Sequence, residues 1–281
     1  MKIGFIGQGW IGKNYADDFE ERGYNVVRYA LEEPYNKNKD AIADCDIVFI
    51  AVPTPTTPDG FDYSIVESVI PLVGKGKIAA VKSTVSLGVT EKLQEKCPDQ
   101  IVVHNPEFLL VTTAKQDAKN PDRNIVGVPK MTAEHKQAAE DVLSVLPKAP
   151  YEAVVSARSA EMIKYARNTA GYARVVFTNL LYDLAEEAGA DWQDIEDAIA
   201  ACPYHGYYYY KPLHKSGRGA GGECFIKDFA AFREMFCNYC DHDSHAKKVL
   251  DSLEQKNIEL LRNSKKDLEL LDSVYGKVNN T

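Results

Sequence analysis

Met1-Lys2-Ile3-Gly4-Phe5-Ile6-Gly7-Gln8-Gly9-Trp10-Ile11-Gly12 opens the chain. Residues 2–6 are short and apolar, as in a buried strand. The glycines stand in G-x-G-x-x-G spacing ahead of a helical pattern over residues 14–22. In that arrangement Gly7 permits a tight turn, Gly9 lets a pyrophosphate approach the backbone, and Gly12 lets the helix pack closely on the strand. The pyrophosphate rests on the helix N-terminus, where N–H groups have no intrahelical acceptor. The stretch predicts a dinucleotide-binding domain, a reading favoured over an ordinary glycine-rich turn.

The pattern outward supports an α/β fold with a Rossmann-type parallel sheet. A second strand is predicted over residues 25–31. Its end, near Ala30, is where an acidic residue ordinarily meets the ribose. The nearest acids are Glu32 and Glu33, while Arg28, Lys37 and Lys39 could instead receive a 2′-phosphate, so NAD and NADP both stand at this point. Residues 46–52 form a near-continuous apolar run, as in a parallel strand buried on both faces. Pro53-Thr54-Pro55 ends it and Asp59-Gly60 turns the chain. A helix over 63–72 and strands over 77–82, 101–103 and 124–128 follow, then a helix over 133–145. Ser83-Thr84 lies at a strand's carboxyl end, where open α/β sheets bind ligands. Glu107, just past another, is a candidate for binding or acid–base work, with a capping role equally compatible.

The second half reads as all-helical, with a long central helix over 156–188 and further helices over 191–201, 227–237 and 244–271. Lys164 and Asn168 share a face of the long helix. The expected domains are 1–155 for the dinucleotide and 156–281 for a helical unit. Between residues 217 and 222 stand four glycines, and Cys224 follows at the end of a tight loop leading into a helix. A helix N-terminus and a nearby lysine favour the thiolate, although a structural cysteine fits the local pattern as well. The run Tyr204-His205-Gly206-Tyr207-Tyr208-Tyr209-Tyr210 could line a pocket or pack at a contact. Cys237, Cys240, His242 and His245 are spaced too tightly for an ordinary zinc finger, and no metal is expected.

The 281 residues carry a formal net charge of −8, and 45% are hydrophobic. No basic stripe points to nucleic acid, and no apolar run is long enough to span a membrane. The six irregularly spaced cysteines and the lack of a signal-peptide pattern point to a cytoplasmic protein.

Seven blocks in order resemble the UDP-glucose/GDP-mannose dehydrogenase family. They are Gly7-x-Gly9-x-x-Gly12, Val52-Pro-Thr-Pro55 with Asp59-Gly60, and Lys82-Ser-Thr-Val85 with Gly88-x-Thr90. Asn105-Pro-Glu-Phe-Leu109, Asn120-Pro-Asp-Arg123, Ala160-Glu-x-x-Lys164 with Asn168, and Gly221-Gly-x-Cys224-Phe-x-Lys-Asp228 complete the set. The resemblance implies NAD-dependent oxidation of a nucleotide-sugar C6 alcohol to a carboxylate, as in polysaccharide biosynthesis. It makes Cys224 the nucleophile, Lys164 the oxyanion stabiliser and Asn168 the holder of a substrate oxygen. Asp228 would orient a water or Lys164, Glu107 would act with a water, and Thr84 would position that water. Gly7, Gly9, Trp10, Ile11, Gly12, Val52, Pro53, Thr54, Ser83, Thr84 and Lys227 would contact the cofactor. Phe108, Leu109, Lys164, Asn168, Gly219 and Gly221 would contact the substrate. A homodimer through the long helix is implied, and the family's C-terminal UDP-binding domain is expected to be absent. Two other readings are a non-catalytic dinucleotide-binding protein and a β-hydroxyacid-type dehydrogenase. The latter has no need of a cysteine in a glycine-rich loop.

Overall fold

The computed structural model describes residues 1–203, 209–215 and 217–277. The chain divides into two compact units, Met1–Thr54 with Asp62–Lys164, and Pro55–Phe61 with Tyr165–Thr281. The first opens with β1 (Lys2–Ile6), α1 (Trp10–Glu21), β2 (Asn25–Tyr29) and β3 (Ile47–Ile50). A hairpin of β4 (Thr56–Thr57) and β5 (Gly60–Phe61), counted with the second unit, intervenes. The first unit resumes with α2 (Ser64–Val69), β6 (Ile78–Val81), α3 (Val89–Lys96), β7 (Ile101–His104), α4 (Ala114–Lys119), β8 (Arg123–Val128), α5 (Ala133–Val145) and β9 (Tyr151–Ser156). The 32-residue α6 (Ala157–Ala188) comes next. After it come α7 (Trp192–Ala201), the short pair β10 (Leu213–His214) and β11 (Gly217–Arg218), then α8 (Gly222–Tyr239), α9 (Ser244–Asn263) and α10 (Leu268–Tyr275).

Seven strands form one sheet in the order β2-β1-β3-β6-β7-β8-β9. All neighbours run parallel except β7 and β8, which meet antiparallel at His104 and Gly127. The central strands β3 and β6 are buried at every residue, which is why they read as unbroken apolar runs. β9 was not anticipated. It is an edge strand, half-buried along most of its length, so Tyr151-Glu-Ala-Val-Val-Ser156 shows neither a buried run nor clean alternation. Helix α1 is held on the sheet by Phe19, whose ring lies 5.4 Å from both Phe5 and Phe49, while Phe5 and Phe49 stack at 5.1 Å. Each such ring contributes about 1.5–3 kcal/mol by leaving water.

Two family-like blocks meet in a structural contact of the first unit. The fully buried Glu161 of α6 caps the N-terminus of α3. Its carboxylate accepts from Gly88 N at 2.7 Å, Thr90 N at 2.9 Å and Thr90 Oγ1 at 2.6 Å. Gly88 has φ +83° and no capping side chain of its own, so the remote glutamate satisfies donors that the helix end would otherwise leave open.

In the second unit, Tyr172 of α6 stacks on Phe229 of α8 with ring centroids 3.9 Å apart. On another side, Ile226 of α8 joins Ile258 and Leu261 of α9 and Leu271 and Val274 of α10. The single helix predicted over 244–271 is two helices. The link between them holds Lys265 and Asp267 at φ +54° and +52°, which breaks the helical path. Among the described residues, no helix is long and apolar enough to cross a membrane. None of their His, Cys, Asp and Glu side chains form a group of three or more that could hold a metal ion, so Cys237, Cys240, His242 and His245 make no such cluster.

Candidate active site

The glycine loop after β1 has the backbone that its spacing predicts. Gly7 has φ +91°, and a Cβ there would also lie 2.2 Å from the Ala51 carbonyl oxygen. A Cβ on Gly12 would lie 1.9 Å from the Gly7 carbonyl oxygen, so the helix can approach only without one. Gly9 differs: a Cβ there would meet nothing within 4 Å. Glycine at that position is not demanded by the protein's own packing. It leaves open space beside the first-turn N–H groups of α1 that a side chain would fill. Trp10 is 56% exposed at the mouth of this turn, while Ile11 packs against the core.

The carboxyl ends of β3 and β6 are tied together beside it. Ser83 Oγ accepts from Val52 N at 3.0 Å and donates to the Val52 carbonyl at 2.7 Å. Thr54 Oγ1 donates to the Thr84 carbonyl at 2.8 Å. Pro53, between the two tied residues, is exposed. The predicted residues Val52, Thr54, Ser83 and Thr84 therefore form one hydrogen-bonded ledge. Arg28 is not available for a 2′-phosphate. It is only 9% exposed, and its guanidinium is engaged by Asp17 at 2.7 Å and Glu20 at 2.7 Å.

Glu107 and Lys164 form a buried ion pair, with Lys164 Nζ 2.7 Å from Glu107 Oε1 and also 2.7 Å from its carbonyl oxygen. Their side chains are 8% and 3% exposed. Glu107 Oε2 accepts from Leu109 N at 2.7 Å. Burial alone would raise the Glu107 pKa, but Lys164, the Leu109 N–H and Lys82 together hold it below the ordinary carboxylate value. Phe108 is packed beneath two cations, with Arg123 4.7 Å and Lys164 5.8 Å from its ring.

Lys82 had no assigned role in the sequence reading. It is 1% exposed, donates to Asn105 Oδ1 at 2.8 Å, and lies 3.8 Å from the Tyr15 ring. Burial, opposed by Glu107 and reinforced by Lys164, pushes its pKa down to about 7. Asn105 in turn donates to the Ile125 carbonyl at 2.9 Å, which anchors the root of the Glu107 loop. A lysine directly after a fully apolar parallel strand was the available signal. His104, at the end of β7, is fully buried and donates through Nδ1 to the Val81 carbonyl at 2.9 Å, and burial pushes its pKa down to about 3.

The second unit carries the remaining candidates. Asn168 Nδ2 donates to Asp228 Oδ2 at 2.6 Å, and Lys227 Nζ donates to Asp228 Oδ1 at 2.6 Å. Asp228 is 1% exposed, so both oxygens are held away from bulk water by named partners. Cys224 is exposed, and it lies inside α8 rather than in a loop before it. The helix begins at Gly222 with Gly221 as its N-cap, five residues earlier than the pattern suggested, which puts Cys224 at the third helical position. Glycines are poor helix formers, so the sequence pattern placed the start too late. Phe225 is seated on Gly171 of α6, where a Cβ would lie 2.8 Å from its ring.

The glycines at 219 and 221 have an internal explanation. A Cβ on Gly221 would lie 2.1 Å from Asp267 Oδ2, and Gly219, at φ +90°, faces Asn257, Leu260 and Leu261. Ala220 N donates to Asn257 Oδ1 at 2.6 Å, and Asn257 Nδ2 returns a bond to the Ala220 carbonyl at 3.1 Å. Asn257, Ser264, Lys266 and Asp267 were all absent from the predicted set, because only folding brings α9 and its end against this loop. Tyr209 and Tyr210 are described, with Tyr209 5.3 Å from the Phe225 ring and Arg174 5.0 Å from that of Tyr210. Residues 204–208 of the aromatic run lie outside the described residues.

Two family models match this chain. The NAD binding domain of the UDP-glucose/GDP-mannose dehydrogenase family covers residues 33–146, and that family's central domain covers residues 158–257. The UDP-glucose 6-dehydrogenase YwqF of Bacillus subtilis (strain 168) is 31% identical over 99% of this chain and 70% of its own length.

The chain belongs to the UDP-glucose/GDP-mannose dehydrogenase family.

The UDP-glucose 6-dehydrogenase of Rhizobium meliloti (strain 1021) is 32% identical over 89% of this chain. The chain spans 66% of that relative's length. A solved UDP-glucose dehydrogenase from Pyrobaculum islandicum superposes with a TM-score of 0.78 at 26% identity, covering 99% of this chain and 72% of the other. A 3-hydroxyisobutyrate dehydrogenase from Mycobacterium tuberculosis shares the fold, with a TM-score of 0.68 at 15% identity. NAD is the cofactor of this dehydrogenase family, and the paired state of Arg28 agrees with NAD rather than NADP.

Proposed function

We propose that this chain oxidises the C6 alcohol of a nucleotide sugar to a carboxylate, using two NAD per turnover. The observation that carries the reading is Cys224, exposed in the first turn of α8, within the part of the chain that matches the family's central domain. NAD, when bound at Gly7, Gly9, Trp10, Ile11, Gly12 and the ledge of Val52, Pro53, Thr54, Ser83 and Thr84, takes up the hydride in each oxidation. The first oxidation removes a hydride and a proton from the alcohol and leaves an aldehyde. The Cys224 thiolate then adds to the aldehyde carbon, forming a C–S bond and an oxyanion. Loss of a second hydride from that carbon gives a thioester. Water attacks the thioester carbon, the C–S bond breaks, and carboxylate and thiolate are released. The sum is alcohol, two NAD and water giving carboxylate, two NADH and three protons. A thiol suits this sequence because its ester forms by hydride loss and is readily hydrolysed.

Lys164 is assigned to the oxyanion and Asn168 to a substrate oxygen. Glu107, kept ionised, takes a proton from water, and Thr84 positions that water. Asp228 holds Asn168 and Lys227 in place. Phe108, Leu109, Gly219 and Gly221 are assigned to the substrate. UDP-glucose is the first substrate to test, since it stands in the names of the relatives. NADH absorbance with UDP-glucose, GDP-mannose and UDP-N-acetylated sugars is the assay, and the reading expects two NADH per sugar with one of them. Tight NAD binding without reduction by any nucleotide sugar would sink it.

The cytoplasmic location expected from the sequence belongs to this reading, and so does a homodimer. Phe177, Leu180 and Leu184 are 57%, 43% and 67% exposed along one stripe of α6. A second copy laid on this stripe would bury it, and sedimentation is expected to show a dimer at micromolar concentration. Phe177→Glu should shift the species towards monomer; a wild-type protein sedimenting as monomer throughout would refute the dimer.

A further inference from the structure

We propose that Lys266 and Asp267, in the link between α9 and α10, are positioning residues that hold the glycine-rich loop and the first turn of α8, and thereby Cys224. The inference rests on Cys224 being the nucleophile. Asp267 Oδ2 accepts from Gly222 N at 2.8 Å, the first N–H of α8, which the helix itself cannot satisfy. No side chain at the local N-cap does this work, because that residue is Gly221. Gly221 is also what admits Asp267, as the 2.1 Å approach to a Cβ shows. Lys266 is 4% exposed, and its Nζ donates to the Gly219 carbonyl at 2.8 Å. Ser264, two residues earlier, accepts from Arg218 N at 3.0 Å. The link thus grips the loop at residues 218, 219 and 222 in succession.

The grip has a backbone cost. Asp267 sits in the left-handed region at φ +52°, which few non-glycine residues adopt. The strain is held by the two flanking packing contacts, since α10 packs on α8 and on β4. Two adjacent charged side chains are therefore spent on the main chain of one loop. Cys224 lies two residues beyond the captured N–H, so a shift of that turn moves the thiol directly. A displacement of about 1 Å at a reacting group lowers rates by up to about a hundredfold.

The test compares the full chain with Asp267→Ala, Asp267→Asn and Lys266→Met. Hydrogen exchange of peptides spanning residues 217–224 is followed together with kcat and KM for the sugar and for NAD. Asp267→Ala is expected to speed exchange in that segment by about tenfold or more, and to lower kcat by about ten- to a hundredfold. The KM for NAD should stay within about twofold, since the Gly7–Gly12 loop is untouched. Asp267→Asn keeps an acceptor for Gly222 N–H and should recover most of both losses. Lys266→Met should reproduce the exchange effect at residues 217–220, and it carries the test if Asp267→Ala does not fold. Unchanged exchange and kcat in both loss variants would overturn the proposal, and so would an asparagine variant no better than alanine. If the wild type reduces no NAD with any nucleotide sugar, the functional reading fails on its own, while the exchange measurements still decide whether the link holds the loop.

Discussion

Replacing Cys224 with alanine is expected to remove the second oxidation and with it net turnover to the carboxylate. Without the thiol no C–S bond forms, so the aldehyde carbon has no thiohemiacetal from which a hydride can leave. Carboxylate formation should fall by at least about a thousandfold. The NADH yield should drop from two per sugar to at most one, with aldehyde as the only product. Stability should change by no more than about 0.5 kcal/mol, since Cys224 is exposed and packs no core. Quantifying NADH and carboxylate in the same reaction decides the matter. Two NADH per sugar from Cys224→Ala would remove the cysteine from the mechanism.

Lys164→Met is expected to cost both stability and catalysis. Removing the lysine leaves buried Glu107 without its hydrogen-bonded cation, and breaking such a pair costs about 3–5 kcal/mol. The pH dependence has a definite sign. In the wild type Glu107 is held below its ordinary pKa, so its contribution is present above the unfolded-state value and is lost as pH falls through the folded-state value. In Lys164→Met burial is no longer opposed by its main counterweight, and Glu107 is pushed upward instead. The deficit of the variant relative to wild type should therefore be greatest near neutral pH and shrink as the solution is acidified. Denaturant titrations at several pH values would show this, and the double variant Lys164→Met/Glu107→Gln should regain much of the loss. A deficit independent of pH would mean that Lys164 acts by packing alone. Catalysis should fall in both variants, because the oxyanion loses its cation.

The glycine turn after β1 was legible because its requirements are local. Gly7 needs a positive φ and Gly12 needs to lack a side chain, and both follow from strand–turn–helix geometry over a dozen residues. The apolar runs of β3 and β6 were legible for a similar reason, since burial on both faces leaves only one residue class. The edge strand β9 was not, because residues half-buried along most of its length impose no regular pattern. The start of α8 was misplaced for the opposite reason. Its N-cap and first residue are glycines with weak helix propensity, and Asp267, 45 residues on, satisfies the Gly222 N–H.

The partners of the candidate residues were the least legible. Sequence spacing put Lys164 and Asn168 on one helix face but carried no information that Lys164 would be taken by Glu107 and Asn168 by Asp228. Those pairs span 57 and 60 residues. Lys82 reads as an ordinary strand-end lysine until burial against Tyr15 and Asn105 makes it a structural ammonium with a depressed pKa.

By itself the sequence determined the fold family, the glycine loop, and which residue types stand ready for chemistry, because each depends on short-range sterics and burial. Only the tertiary structure decided which charges pair, that Arg28 is already spoken for, and that the glycines before Cys224 yield space to Asp267 and Asn257. Those outcomes depend on which distant segments share a small volume, and hydrogen-bond geometry there is set by the packed elements rather than by neighbours along the chain.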